Sequence, residues 1–166
     1  MQINERLGDQ DGMASGYHHL GTLAQRRGDH EEAERRYQQC LQINKQLGDH
    51  AGMAASYGQL GILAQDQENY EEAGHCYRRS LQISKRLGNQ VEIARSYSAL
   101  GNLAYLSGDY ERARHCHRQS LQINERLGNQ LGMSSDYRHL GMLAQNRGIT
   151  RRLSVAIGSP YRSTND

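Results

Sequence analysis

The 166-residue chain contains no Trp and no Phe, one Pro and three Cys. Without the two largest apolar aromatics, any core must be built from Leu, Ile, Met, Ala and the ten Tyr. The lone proline, Pro160, lies near the end, so nothing before it forbids long helices, whose interiors a proline disrupts at a cost of about 3 kcal/mol or more. Cys40, Cys76 and Cys116 suit a reducing compartment better than a disulfide scaffold, and a cytoplasmic location is expected. No stretch approaches the length of apolar residues that spans a bilayer, and the N-terminus lacks a charged segment leading into an apolar one. Neither a membrane span nor a secretory signal is expected. Charge of one sign is missing too: 20 basic and 18 acidic residues leave a net charge of +2, which exerts no strong pull on nucleic acid or membrane. The arginines are interleaved with acids, as in "EEAERR" and "YERAR", the pattern of solvated helix faces; only Arg147, Arg151, Arg152 and Arg162 make the last segment locally basic.

What the chain does have is a phrase that returns. "LQINKQLGDH" from residue 41 comes back as "LQISKRLGNQ" from residue 81 and "LQINERLGNQ" from residue 121, and the chain opens on "MQINERLGDQ". Residues 41–80 and 81–120 are identical at 20 of 40 aligned positions without a gap. A fixed period of this size means stacked supersecondary units. Each unit holds two helical patterns. In the third, Ile93, Tyr97, Leu100 and Ala104 mark one face of a first helix, A. Ala113, Cys116, Ser120, Ile123 and Leu127 mark one face of a second, B. Gly88 and Gly128 stand where a helix ends on a left-handed residue, and Asn89 and Asn129 follow as N-caps of the next helix. Gly108-Asp109 does the same between the paired helices, with Glu111 suiting the dipole of the helix that follows. Helices of about 17 residues joined by such short turns must pack antiparallel. The predicted fold is all-α, a solenoid of antiparallel helix pairs.

The steps Tyr17/Leu20/Gly21/Ala24, Tyr57/Leu60/Gly61/Ala64, Tyr97/Leu100/Gly101/Ala104 and Tyr137/Leu140/Gly141/Ala144 resemble those of tetratricopeptide (TPR) repeats. The small residue of helix B follows at Ala33, Ala73 and Ala113, with an aromatic four positions on at Tyr37 and Tyr77; His117 replaces it in the third unit. The glycine permits close approach, the alanine answers it, and a tyrosine fills the space beside them. The usual repeat has 34 residues. The 40-residue form is similar to the repeats of the Pins/LGN polarity adaptors, kinesin light chains and many bacterial signalling proteins, and the resemblance covers residues 1–148.

Both ends depart from the pattern. Met1 falls where Leu41, Leu81 and Leu121 fall, so the array is expected to begin with half a B helix, followed by three full repeats and a fourth A helix. After Gly148 the sequence reads "ITRRLSVAIGSPYRSTND", and Pro160 falls inside the expected fourth B helix. Residues 149–166 are expected to be a divergent, largely disordered tail, with room for a short helix through Leu153 and Ile157. The chain reads as a segment of a longer array or a truncated gene product. Stacking faces without polar capping units are expected to associate end to end.

Function is expected on the surface, because the repeats describe mostly their own core. The resemblance implies that A helices line a concave groove holding an extended or helical peptide. Counted from each Leu-Gly, the groove positions are Ser15, His18, Thr22 and Gln25, then Ala55, Gly58, Ile62 and Gln65. The third and fourth units give Arg95, Ser98, Asn102 and Tyr105, then Ser135, Arg138, Met142 and Gln145. In the Pins/LGN-type repeats an Arg and an Asn at the positions of Arg95 and Asn102 hold a peptide's backbone and acidic side chains. The other units lack this pair, and the open alternative is a solvated Arg95 with Asn102 bonded inside the stack. An arginine fork grips a carboxylate, and an amide pairs with a peptide unit through donor and acceptor.

His75-Cys76 and His115-Cys116-His117 recur one repeat apart on B helices. Residues two apart on a helix diverge, and equivalent positions in neighbouring repeats are about 8–10 Å apart, too far for a disulfide or for shared metal ligation. These pairs read as small packing cysteines beside surface histidines, with no metal or cofactor expected. No phosphate-binding glycine loop, zinc-protease motif or nucleophile elbow occurs, and His18-His19 has no triad partners. The expectation is a non-catalytic scaffold or adaptor in signalling that binds a protein or peptide. The alternative is a sensor or regulatory segment of a larger signalling ATPase or transcription regulator.

Overall fold

The computed structural model describes residues 9–156, and side chains over residues 9–145. Seven helices follow one another: α1 (Gln10–Arg26), α2 (His30–Leu47), α3 (His50–Asp66), α4 (Tyr70–Leu87), α5 (Gln90–Leu106), α6 (Tyr110–Leu127) and α7 (Gln130–Ala156). No strand occurs among the described residues. Odd-numbered helices are the A helices and even-numbered ones the B helices.

Local sequence sets every boundary. The side chains of Asp29, Asn69 and Asp109 accept the backbone N–H three residues on, at 3.1, 3.3 and 3.1 Å, opening the three B helices. Asp9, Asp49, Asn89 and Asn129 do the same for α1, α3, α5 and α7, at 2.8, 3.0, 3.2 and 3.2 Å. Each such cap is worth about 1 kcal/mol. Gly48, Gly88 and Gly128 end the B helices in the left-handed region, at φ of 69°, 68° and 66°. In the A-to-B turns Gly28 and Gly108 adopt φ of 78°, whereas the second unit places Glu68 there at φ 59°.

Consecutive helices pack against one another, and α3 also touches α5. Three of the four buried clusters draw on an A helix, its own B helix and the next A helix, while the fourth joins Ile93 and Ala94 of α5 to Ile123 of α6 and Leu81 of α4. One joins Ala24, Ala33, Tyr37 and Leu63; the next contains Ala64, Ala73, Tyr77, Leu100 and Leu103; a third contains Ala104, Ala113 and Leu143. The spacing that recurs between the repeats has a specific packing cause. A β-carbon on Gly21 would lie 2.7 Å from Tyr37 Cε1, and one on Gly61 would lie 2.6 Å from Tyr77 Cε1. The glycine therefore makes room for the aromatic ring of helix B.

Of the residues assigned to the helix faces, Ile93, Leu100, Ala104, Ala113, Cys116, Ser120 and Ile123 are buried, and Tyr97 is half-buried. Leu127 is not: like Leu47 and Leu87 it is exposed, because it sits in the last turn of its helix, just before the left-handed glycine. Gly148 and Ile149 occupy the positions of Gly28-Asp29 and Gly108-Asp109. Isoleucine has no side-chain oxygen to cap a new helix, and α7 continues past this point to Ala156. Helix thus occupies the first part of the segment expected as a tail. Residues 157–166, and the expected half helix at residues 1–8, lie outside the described residues. Among the described residues the face of α7 equivalent to the buried Gly101 and Ala104 is open: Gly141 and Ala144 are exposed, and no described atom lies within 4 Å of a β-carbon placed on Gly141.

Candidate functional site

A recess lies between the A helices of the second and third units. It is a cleft of about 380 Å³ walled by Ala55, Gly58, Gln59 and Ile62 of α3 and by Glu92, Arg95, Ser96 and Ala99 of α5, with Tyr77 and Ser80 of α4 behind. Four of the positions counted from sequence, Ala55, Gly58, Ile62 and Arg95, meet in it. Its walls are largely small or apolar, and its charge is confined to one pair: Arg95 Nη1 donates to Glu92 Oε1 at 2.7 Å, with the Arg95 side chain mostly exposed. An exposed cation over an apolar recess suits a segment that presents both an apolar side chain and a carboxylate.

Asn102 does not line this cleft. It stands one repeat on from Ile62, half-buried, with its Oδ1 buried and unpartnered among the described residues. Arg95 and Asn102 share a helix face, but of the two only Arg95 lines this cleft. Ser98 and Ser135 are half-buried, while Ser15, Arg138, Met142 and Gln145 are exposed on their A helices.

Two predicted groove residues serve the core. The Tyr37 hydroxyl donates to Gln25 Oε1 at 2.9 Å, and the Tyr77 hydroxyl donates to Gln65 Oε1 at 3.1 Å. Gln25 Nε2 reaches on to Asp66 Oδ2 at 2.8 Å, tying the first A helix to the second. In the third unit, where His117 brings no hydroxyl, the glutamine position is Tyr105, whose ring packs beside Tyr110 at 5.6 Å. The glutamine thus accompanies the tyrosine. The His18 ring lies edge-on to His19 and tilted against Tyr37, and burial, aided by the His19 charge, holds its imidazole below the usual histidine range.

The last interface carries a buried His–Asp pair where the preceding ones hold the smaller Asn44–Ser56–Cys40 and Ser80–Ser96 contacts. His117 and Asp136 are fully buried, and His117 Nδ1 donates to Asp136 Oδ1 at 3.2 Å. Asn124 Nδ2 donates to Asp136 Oδ2 at 2.9 Å, and Asn129 Nδ2 to Asn124 Oδ1 at 2.9 Å. The His139 ring stacks on His117 at 4.6 Å, its Nδ1 donating to the Ser135 carbonyl. The sequence showed His117 in an aromatic's place. Its counterpart went unread: position 136 is Ser96 and Ser56 in the preceding units, so the chain changes both partners together.

All three cysteines are buried free thiols. Within α4, however, Glu72 lies one turn before His75 and Cys76, and the ligand atoms of all three lie within 4.8 Å of one another. The acidic residue three and four positions back was the signal that the pairwise comparison omitted. Among the described residues, no helix is long and apolar enough to cross a membrane.

The profile of the tetratricopeptide repeat family matches residues 12–86 and again 52–126. This chain belongs to the tetratricopeptide repeat family. Its fold is similar to that of BtubC (BKLC) from P. vanneervenii, whose crystal structure superposes with a TM-score of 0.76 at 22% identity. The match covers 95% of this chain and 69% of the other. No curated protein sequence matches the chain. TPR arrays generally mediate protein–protein interaction, which is the level at which family membership speaks for this chain.

Proposed function

We propose that this TPR array is a non-catalytic interaction module that seats a peptide segment of a partner protein along its A helices, with the α3–α5 cleft as the principal recess. The observation that carries this reading is the convergence of Ala55, Gly58, Ile62 and Arg95 on one cleft with an apolar wall and a single cationic lip. The segment that fits places an apolar side chain against Ile62 and Ala99 and a carboxylate where Arg95 can exchange it for Glu92. Arg138, Ser98 and Asn102 extend the same A-helix surface, while Gln25 and Gln65 hold the tyrosines behind it. Panning a random peptide library on the full chain, followed by amide chemical-shift mapping of the best binder, tests the placement. Shifts centred on residues 55–62 and 92–99 support it; shifts centred on the B helices contradict it.

The alternative is a regulatory segment that packs against neighbouring domains of a signalling ATPase or transcription regulator. The observation that favours it is the open Gly141/Ala144 face of α7. The same face is offered to a second copy of the chain, and sedimentation velocity over a dilution series distinguishes self-association from a monomer.

A further inference from the structure

A second site lies apart from the cleft, at the start of α4. Glu72, His75 and Cys76 occupy positions i, i+3 and i+4, so the first turn of the helix brings Glu72 beside both of the others. Cys76 Sγ donates to Glu72 Oε1 at 3.4 Å, and His75 Nδ1 lies 3.8 Å from the same oxygen. Zinc binds thiolate at about 2.3 Å and imidazole or carboxylate at about 2.0–2.2 Å, which puts neighbouring ligand atoms of a tetrahedron about 3.3–3.7 Å apart. Two edges of the triangle already stand near that length. The third is within 4.8 Å, and the exposed side chains of Glu72 and His75 are free to close it.

We propose that Glu72, His75 and Cys76 form a binding site for a thiophilic divalent cation of the zinc class. The mixed sulfur, nitrogen and oxygen set favours such an ion over magnesium or calcium, which take oxygen ligands. As the metal–sulfur bond forms, the thiol gives up its proton to solvent through Glu72, and the fourth coordination position stays open on the exposed side. The sulfur is not sealed off: Cys76 and Glu72 line a small cleft of about 120 Å³ that Glu34 of α2 also faces. Burial, the hydrogen bond to Glu72 and the carboxylates of Glu72 and Glu34 push the Cys76 thiol up to about 12. The same negative surroundings that hold the proton attract a dication, and metal occupancy replaces the proton.

The chain carries its own controls. The third unit repeats His115-Cys116 but places Arg112 where Glu72 stands, and the first unit keeps Glu32 but follows it with Arg35 and Arg36, which occupy it as ion pairs. Only the second unit assembles all three ligand types.

The test is titration of the reduced, metal-free full chain with Co²⁺, followed by displacement with Zn²⁺. The expected result is a thiolate-to-cobalt charge-transfer band saturating at one ion per chain, lost on adding Zn²⁺, with one proton released per ion bound. Glu72→Gln and His75→Gln change exposed side chains, leave the helical circular dichroism intact, and each weaken binding by about tenfold or more. Cys76→Ser removes the band, and Cys116→Ser leaves it unchanged. No band in the wild type, a band that survives Glu72→Gln and His75→Gln at full affinity, loss of the band in Cys116→Ser, or one ion per two chains would each overturn the assignment.

Discussion

Four glycines occupy the same motif position, yet their replacement by alanine is predicted to differ in sign. In Gly61→Ala the new methyl group meets Tyr77 Cε1 at 2.6 Å and Cδ1 at 2.7 Å. These are atoms of a rigid, buried ring held behind by its hydroxyl bond to Gln65, so the ring cannot swing aside as a flexible side chain would. Overpacking of this kind costs about 1–3 kcal/mol. Alanine in place of an interior helical glycine returns about 0.5–1 kcal/mol. With the ring fixed, overpacking outweighs the helix gain, and the net is a loss of up to about 2.5 kcal/mol, or up to about 10 °C in Tm for an array of this size. Gly21→Ala, facing Tyr37, should behave alike, and Gly101→Ala meets His117 Nε2 at 2.8 Å with the same expectation. Gly141 faces open space, so Gly141→Ala keeps only the helix gain and should raise Tm by about 1–4 °C. Thermal melts of the four single variants, with urea titrations to confirm the order, measure this. A neutral Gly61→Ala, or a Gly141→Ala as damaging as the others, would refute the packing account of the motif.

The buried His117–Asp136 pair gives a second prediction: Asp136→Ala should cost about 1–3 kcal/mol, since it strips a buried imidazole of its hydrogen-bond partner. The combined replacement His117→Tyr, Asp136→Ser, Tyr105→Gln, which copies Tyr77, Ser96 and Gln65, should recover most of that loss; urea unfolding that shows no recovery would mean the repeats are not interchangeable at this layer. Glu68→Gly should gain up to about 1 kcal/mol, because Glu68 holds φ 59° where the sister turns place glycine; a loss in the same unfolding assay would contradict the strain assignment. Stability should fall as pH drops below about 6.5, because His18 and His139 are held below their ordinary value of 6.5, chiefly by burial. The folded state then binds fewer protons than the unfolded one, so protonation favours unfolding. His18→Gln with His139→Gln should flatten the slope of Tm against pH between 7 and 5.5, and an unchanged slope would assign it elsewhere.

Much of the fold was legible because the repeat writes its boundaries in side chains with one local job each. The Asp and Asn caps and the left-handed glycines act within three or four residues, and they were read correctly from Gly88, Asn89, Gly108, Asp109, Gly128 and Asn129. What escaped was pairing across helices. Gln25 and Gln65 looked like groove residues because their helical phase points that way, but a hydroxyl twelve residues on claims their amides. Asp136 escaped because its reason lies in another helix, at His117, and only comparing columns across the repeats reveals that both changed together. Asn102 shares a face with Arg95, yet periodicity along one helix does not specify which cleft between helices a side chain borders. At the fourth A helix Gly148 signals a turn, but no capping residue stands at 149 to start a new helix, and α7 runs on to Ala156.

The most direct test of the interaction reading is the affinity of a library-selected peptide for the wild-type chain, measured by isothermal titration beside Ile62→Asp and Arg95→Ala. Both residues are exposed in the α3–α5 cleft, so neither change should disturb helicity. Each should weaken binding by about 1–3 kcal/mol, the scale of a lost apolar anchor or charged hydrogen bond. Equal affinities for the wild type and both variants would take the partner out of the cleft and contradict the proposed function.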